Sequence, residues 1–349
     1  MIDINLDSTA LGASGCILNL HRTVVDGYTE PVQDCKLTYG VACHKYWDMM
    51  YKTKGHIPTA RAEAELAFSA PKVDFKGKSP HLMDKNHMIG VAFNTWEMYI
   101  KPDQEFELVE LNLPCWKCKG SGTFADTSSL RMEGDKVILT VSECPVCNGA
   151  KSFLQPASEV TFRILYYEDD TVRIYLCGTI DGLGRIKGGC YAIRDFKTTS
   201  TWNKKEYFSK YDRARQLRIY TVALKLMAAL EPNSILGQIG KTNTGAFIDA
   251  IFIKPAMNET SYGRSSVFTY RDAELDAFRL TLDDQCKRLS QAIKTGYLPQ
   301  EGLINGSCIG EWGRCKFWCV CNSEENVSEI LLERDFKKRI FNPLKYNEI

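Results

Sequence analysis

Apolar residues recur at helical spacing from about Leu37 to Lys54, where Trp47, Met50 and Tyr51 share one side. Pro58 to Phe68 and Asp84 to Ile100 repeat that period, and Asp84 is the residue type that caps a helix start. Phe106 to Leu113 reads as a strand. The pattern then lapses from Pro114 to about Gln155, where glycine and serine surround two Cys-x-x-Cys pairs. Beyond it, Glu159–Tyr167 and Thr171–Cys177 flank the turn Glu168-Asp169-Asp170, and Cys190–Lys197 follows the turn Lys187-Gly188-Gly189, which predicts an antiparallel meander. A long helix is expected from about Lys204 to Leu230, then a less regular stretch, a helix from about Arg271 to Thr295, and a cysteine-rich end.

Length and charge narrow the reading. The 349 residues slightly exceed what one core usually organises, so one large domain with an inserted module, or two domains, is expected. The net charge of +1 excludes a global basic field, so any nucleic-acid surface has to be local. No apolar run reaches the roughly 20 residues needed to span a bilayer. The acidic start, Met1 to Asp7, lacks the basic and apolar regions of a signal peptide. A reducing cytosol is expected, bacterial or that of a phage-infected host. There, 14 cysteines point to metal binding rather than to a disulfide framework.

Within the meander, Gly178-Thr-Ile-Asp181-Gly182 ends one strand and Asp195-Phe-Lys197 lies on a later one. Alternation puts Asp195 and Lys197 on one face, and Asp181 reaches them if the hairpin is regular. Two carboxylates are hard oxygen ligands suited to Mg2+ or Mn2+. A lysine beside them orients and deprotonates water, or stabilises charge on an attacked phosphate. Gln216 and Tyr220 share a helix face downstream, and His44 lies upstream, four residues after Gly40.

The series Gly40-x-x-x-His44, Gly178-x-x-Asp181, Asp195-x-Lys197, Gln216-x-x-x-Tyr220 resembles the RecB-like branch of the PD-(D/E)XK superfamily, which includes the AddB nuclease domain, CRISPR-associated adaptation nucleases and many phage exonucleases. The resemblance implies an α/β fold, a central mixed sheet flanked by helices, and metal-dependent hydrolysis of DNA, as an exonuclease in recombination, repair or phage DNA processing. It implies that His44, Asp181, Asp195 and the carbonyl of Phe196 ligate Mg2+ or Mn2+, that Lys197 serves the nucleophile, and that Gln216 and Tyr220 organise the site. Glu159 resembles an acidic residue ahead of the Gly-x-x-Asp element, with Glu110 as its rival. A non-catalytic nucleic-acid-binding or phage assembly protein on the same fold is the alternative. The chain carries no Gly-x4-Gly-Lys-Ser/Thr motif, so any unwinding would come from a helicase or other recombination partner.

Cys308, Cys315 and Cys321 have six and five residues between them. Three thiolates leave a tetrahedral site incomplete, so a fourth ligand comes from elsewhere. Iron–sulfur members of the RecB-like family carry one cysteine before the His motif and three after the core. That implies a [4Fe-4S] cluster on Cys16, Cys308, Cys315 and Cys321. The first spacing is longer than in the commonest family pattern, Cys-x-x-Cys-x5-Cys. Cys319 is an extra candidate, Cys35 and Cys43 compete with Cys16, and zinc is the competing metal.

Cys115-x-x-Cys118-x-Gly120-x-Gly122 and Cys144-x-x-Cys147-x-Gly149 form two knuckles suited to one Zn2+. They resemble half of the cysteine-rich module of DnaJ-type chaperones, and Trp116, Lys117, Lys119 and Lys151 lie around them. A chaperone-like binding module built on them leaves the rest of the chain unexplained. Cys177, Cys190 and Cys286 read as buried thiols. Lys204-Lys205, Arg213-x-Arg215-x-x-Arg218 and Lys337-Lys338-Arg339 are candidate phosphate contacts or solvated faces. The expected division is residues 1–113 and 156–300 for the nuclease, 114–155 for the zinc module and 301–349 for the cluster segment and tail.

Overall fold

The first residues already belong to the main sheet. In the computed structural model Ile2–Leu6 (β1) runs parallel to a later strand, with Ile4 opposite Ile174 and Leu6 opposite Leu176. Period two turns Ile4 and Leu6 into the core and leaves Asp3 and Asn5 outside, to accept from Arg173 Nε at 2.8 Å and Arg163 Nε at 2.9 Å. The structure describes residues 1–12, 15–31, 33–69, 73–74, 80–125, 131–133, 136–138, 141–200, 203–211, 214–242, 244–255, 261–310 and 313–340. Arg213, parts of the 114–155 insert and the tail 341–349 lie outside them.

After β1 come Ile17–Val24 (α1), Cys35–Lys52 (α2), Ile57–Ser69 (α3), Lys85–Thr95 (α4), Phe106–Leu108 (β2), Glu110–Pro114 (β3), Ser152–Pro156 (β4), Ser158–Glu168 (β5), Val172–Ile186 (β6), Tyr191–Thr199 (β7), Arg215–Leu230 (α5), Gly245–Phe252 (β8), Ser261–Arg264 (β9), Asp272–Thr295 (α6) and Glu325–Asp335 (α7). Among the described residues, β1, β2 and β5–β9 form one seven-stranded mixed sheet. Its spine is the 15-residue β6. One edge of β6 carries β5 and then β2, both antiparallel. The other carries β1 over Val172–Leu176 and then β7 over Gly182–Arg185. Between those two pairings, β1 and β7 splay apart and leave Cys177–Asp181 facing a fork. Outward from β7, β8 is parallel and β9 antiparallel.

Helices cover both faces, as expected of this fold class. On one side Leu6, Ile174, Leu176 and Phe162 pack with Leu217, Leu224, Leu282 and Leu289 of α5 and α6. On the other, Phe196 and Ile251 pack with Tyr39, Cys43, Trp47, Met88 and Trp96. Fully burying a side chain of this kind contributes about 1.5–3 kcal/mol. Alternation along β7 sends Ile193 to the first core and Phe196 to the second, so Asp195 and Lys197 share the α5 side.

Local chemistry accounts for the differences from the expected elements. Asp84 caps α4, accepting from Asn86 and His87 N–H groups, and the helix continues past Thr95 as a π-helical turn, Trp96–Ile100. The strand expected over Phe106–Leu113 divides at Val109, whose N–H makes the last bond to Leu183 of the main sheet before β3 pairs with β4. The single helix expected over Lys204–Leu230 is two helices, Lys204–Ser209, capped by Asn203, and α5, which begins after an extended Ala214. That restart places Gln216 in the first turn of α5.

Candidate active site

Two glycines bring the elements of the site together. A Cβ on Gly40 would lie 2.8 Å from Thr198 Oγ1, so only glycine lets α2 approach β7 this closely. A Cβ on Gly178 would lie 2.7 Å from Phe162 and 3.0 Å from Tyr220, so glycine lets α5 and β5 close around the fork. His44 lies one turn beyond Gly40 and projects toward Asp181 in the fork.

There His44 Nδ1 is 3.4 Å from Asp181 Oδ2 and 3.9 Å from Glu159 Oε1. Ligand atoms of these three residues all lie within 4.8 Å of one another. The Phe196 N–H donates to Asp181 Oδ2 at 2.7 Å. A residue in a strand turns its N–H and C=O to the same edge, so the Phe196 carbonyl also faces the fork. On the α5 side, Lys197 Nζ is 2.6 Å from Asp195 Oδ2 and donates to Gln216 Oε1 at 3.1 Å. Gln216 Nε2 donates to Asp195 Oδ1 at 3.0 Å and to Tyr220 Oη at 2.7 Å. The residues predicted for the site are thus assembled in one place: His44, Glu159 and Asp181 on one side, Asp195, Lys197, Gln216 and Tyr220 on the other. Glu110 is elsewhere, on the wall of a separate cavity beside Tyr51 and Trp96.

The donor set fits a divalent cation. It offers carboxylate oxygens, one imidazole and a carbonyl, the ligand types of hard metals. Asp195 is fully buried, and its Oδ2 is held 2.6 Å from the Lys197 ammonium at the edge of this donor set. A cavity of ≈ 360 Å³ opens onto the group. Lys36, Gly40 and His44, with Leu37, Val41 and Lys45, line it as two stripes at four-residue spacing on α2. Of these, Lys36 was not singled out from the sequence, although its spacing of two four-residue steps from His44 is the signal that would have found it.

Burial governs the protonation of the metal-free site. It lifts the Asp195 carboxyl to about 6, with Lys197 opposing and Asp181 assisting. Glu159 is pushed up to about 8 by burial, then by the charges of Asp181 and Asp48. For His44, burial works downward, but Asp181 and Glu159 outweigh it and raise the imidazole. For Asp181, burial works upward, but His44 and Lys197 hold the carboxyl below its ordinary value. Groups with raised values bind more protons folded than unfolded, so their stabilisation is lost as pH rises. The windows run from 3.8 to about 6 for Asp195 and from 4.5 to about 8 for Glu159. The melting temperature in EDTA should therefore fall as pH rises from about 6 to about 8, above the range in which lowered carboxylates such as Asp169 and Asp181 titrate, and the fall should shrink in a saturating divalent cation, which replaces the protons. A metal-free melting temperature that rises through the same range contradicts these assignments.

Two further cysteine groups take shape. In the insert, Cys115, Cys118, Cys144 and Cys147 are buried, with Sγ–Sγ distances of 3.7 Å for Cys115–Cys144 and 3.6 Å for Cys118–Cys147. Lys119 and Gly120 after one pair, and Asn148 and Gly149 after the other, all take positive φ. This turns the Gly122 N–H onto Cys118 Sγ at 3.3 Å. At the chain ends, the space a Gly302 side chain would fill is flanked by Cys308 Sγ and Cys16 Cβ, at 2.6 and 3.4 Å. Burial, then the neighbouring Cys315, Cys16 and Cys321, raise the Cys308 thiol. Cys16 caps α1, from which Asn19 donates to Cys315 Sγ at 3.4 Å and Arg22 to Cys321 Sγ at 3.1 Å. Cys35 and Cys43 instead lie in the apolar layer around α2, and Cys319 is exposed.

Cys177 and Cys286 are buried as expected, but Cys190 is exposed, because it ends the Lys187-Gly188-Gly189 turn rather than entering β7. Among the basic clusters, Lys204 donates to the Tyr262 carbonyl, Arg215 to the Leu11 carbonyl, and Arg218 lies over the Tyr270 ring. Lys337 and Lys338 form an exposed strand paired with Tyr28 and Thr29. No helix among the described residues is long and apolar enough to cross a membrane.

The family profile of the PD-(D/E)XK nuclease superfamily matches residues 16–322, from Cys16 to just beyond Cys321. The chain belongs to the PD-(D/E)XK nuclease superfamily. Membership implies metal-dependent nuclease chemistry on DNA. A search of curated proteins returns no match.

Proposed function

We propose that this PD-(D/E)XK protein is a RecB-like, phage-type deoxyribonuclease that uses Mg2+ or Mn2+ and degrades DNA from ends during recombination, repair or phage DNA processing in the cytoplasm. The observation that carries the reading is the convergence of His44, Glu159 and Asp181 within 4.8 Å beside the ion pair of buried Asp195 with Lys197. In this reading His44, Asp181, Asp195 and the Phe196 carbonyl hold the metal, with Glu159 completing the ligand set. The metal, when bound, polarises the scissile phosphate and lowers the pKa of an attacking water. Lys197 orients that water or neutralises charge building on the phosphate, and Gln216 fixes the lysine by accepting from it while donating to Asp195. Tyr220 holds Gln216 in turn.

Two structural metals complete the proposal. The insert sulfurs are spaced as a tetrahedral zinc site requires: Zn–S bonds of about 2.3 Å place sulfurs about 3.8 Å apart. The terminal cysteines are set more widely, since among the described residues only the insert cysteines and the His44 group have all ligand atoms within 4.8 Å. That width favours a [4Fe-4S] cluster over a single zinc ion. A helicase would supply unwinding.

End-labelled linear DNA and a covalently closed circle, each incubated with Mn2+ or with EDTA, test the function. Metal-dependent loss of the linear substrate with the circle intact is expected. Equal cutting of the circle would replace end-dependent action with endonuclease action. Binding without cleavage in either metal would overturn the enzyme in favour of a nucleic-acid-binding protein.

A further inference from the structure

Glu159 is the one member of the site whose backbone is held in an unfavourable conformation. Its φ is +51°, in the left-handed region, at the start of a ladder between the pairs Ser158–Gly182 and Val160–Ile180. Such a conformation persists only where the surroundings impose it. The two residues before it are each held in place. Ala157 is clamped between Val109 and Leu183 by backbone bonds of 2.8 and 2.9 Å. Ser158, 1% exposed, donates its hydroxyl to Asp48 Oδ1 at 2.6 Å.

Asp48 is 3% exposed and lies one turn past His44 on α2. Its charge is balanced by Lys52, whose Nζ is 2.7 Å from Oδ1 and 2.9 Å from Oδ2. With Ser158 and Lys52 on its oxygens, Asp48 faces the strand rather than the metal ligands. The same helix thus presents His44 to the fork and, one turn on, grips the strand that carries Glu159.

We propose that Asp48 is a positioning residue, acting through Ser158 to hold Glu159 in its left-handed conformation at a set distance from His44. This deepens the metal-dependent nuclease reading and rests on it. Two ligands on different elements keep their separation only if those elements are cross-braced. The Asp48–Ser158 bond ties α2 to β5 one residue from Glu159 and one turn from His44. Groups that orient ligands in this way are worth about 10–100-fold in metal affinity.

Calorimetric titration of Mn2+ into the metal-free full-length protein tests this without relying on cleavage. Ser158→Ala removes one hydroxyl and leaves every charge in place, so it should fold with a nearly unchanged melting temperature. It should bind Mn2+ about 10-fold more weakly, at the low end of that range. Asp48→Ala also removes the Lys52 ion pair and the Asp48 charge near Glu159, so the brace is isolated by adding Ser158→Ala to Asp48→Ala, which should weaken Mn2+ binding no further than Asp48→Ala alone. Glu159→Gln added to Ser158→Ala should cost less than Glu159→Gln alone. Wild-type Mn2+ affinity in Ser158→Ala, or losses that multiply in the double variant, would overturn the brace while leaving the nuclease intact. A wild-type protein that binds no Mn2+ would bring down both readings together.

Discussion

Asp195→Ala and Lys197→Ala should each lower metal-dependent DNA cleavage by roughly 10³-fold or more, since removing one metal ligand or one preorganised charge at the reacting phosphate costs factors of this order. Their secondary effects should differ. Asp195 is fully buried, with Lys197 Nζ 2.6 Å away and Gln216 Nε2 at 3.0 Å. Replacing it deletes a buried charge together with a proposed metal ligand, so metal binding should weaken while the fold survives. Replacing Lys197 leaves that carboxylate buried without its cation. A buried carboxylate that loses its counter-charge takes up a proton instead, so the Asp195 carboxyl should move further above its present value of about 6. Lys197→Ala should then bind Mg2+ almost normally at alkaline pH and poorly near neutrality, yet stay inactive at both. Wild-type cleavage rates in both variants would show that the reaction is centred elsewhere.

The parts of the site that follow a period were legible in the sequence. The four-residue steps Gly40 to His44 and Gln216 to Tyr220, and the two-residue step Asp195 to Lys197, are helix and strand geometry written directly in spacing. β8 was not legible: all eight residues of Gly245–Phe252 are buried, so the strand has no alternation to read. β1 alternates well, but five residues give a weak signal. Nothing in a pattern of apolar and polar residues announces that Glu159 has positive φ, or that Ser158 reaches Asp48, because both follow from tertiary contacts. The break before α5 was hidden for a related reason. Apolar period runs through Tyr207, Leu217 and Tyr220 alike, and only an extended Ala214 separates the two helices. Glycine chemistry was readable only as motif: that Gly40 and Gly178 are there for close approach required the positions of Thr198, Phe162 and Tyr220.

The two cysteine groups differ in what they tie together. The insert is rooted on β3 and β4, and its sulfurs come from one continuous stretch of chain, so a metal held there would order a local module. The terminal group joins Cys16, at the start of α1, to the segment after α6. Its contacts reach back onto α1 through Asn19 and Arg22, and α1 packs on α6 behind the sheet. Loss of the terminal group should therefore loosen both ends of the chain and leave the fork, which is built from β6, β7, α2 and α5, in place.

Anaerobically purified protein should accordingly be brown, with about four irons per chain and about one zinc. Cys16→Ser, Cys308→Ser, Cys315→Ser and Cys321→Ser should each bleach it, because a hydroxyl is a poor substitute for a thiolate on iron. Cys319→Ser should keep its colour, since Cys319 is exposed while Cys16 and Cys308 are buried together. Zinc content should be unchanged in all five variants and lost in Cys115→Ser or Cys144→Ser, whose sulfurs are 3.7 Å apart in the insert. In the bleached variants, DNA binding should weaken before Mn2+ binding does, because the metal ligands stand on elements the cluster does not brace. Colour retained in Cys16→Ser would move the fourth ligand to another residue. A colourless wild-type protein with about two zincs per chain would replace the cluster with a second zinc site and leave the nuclease site untouched.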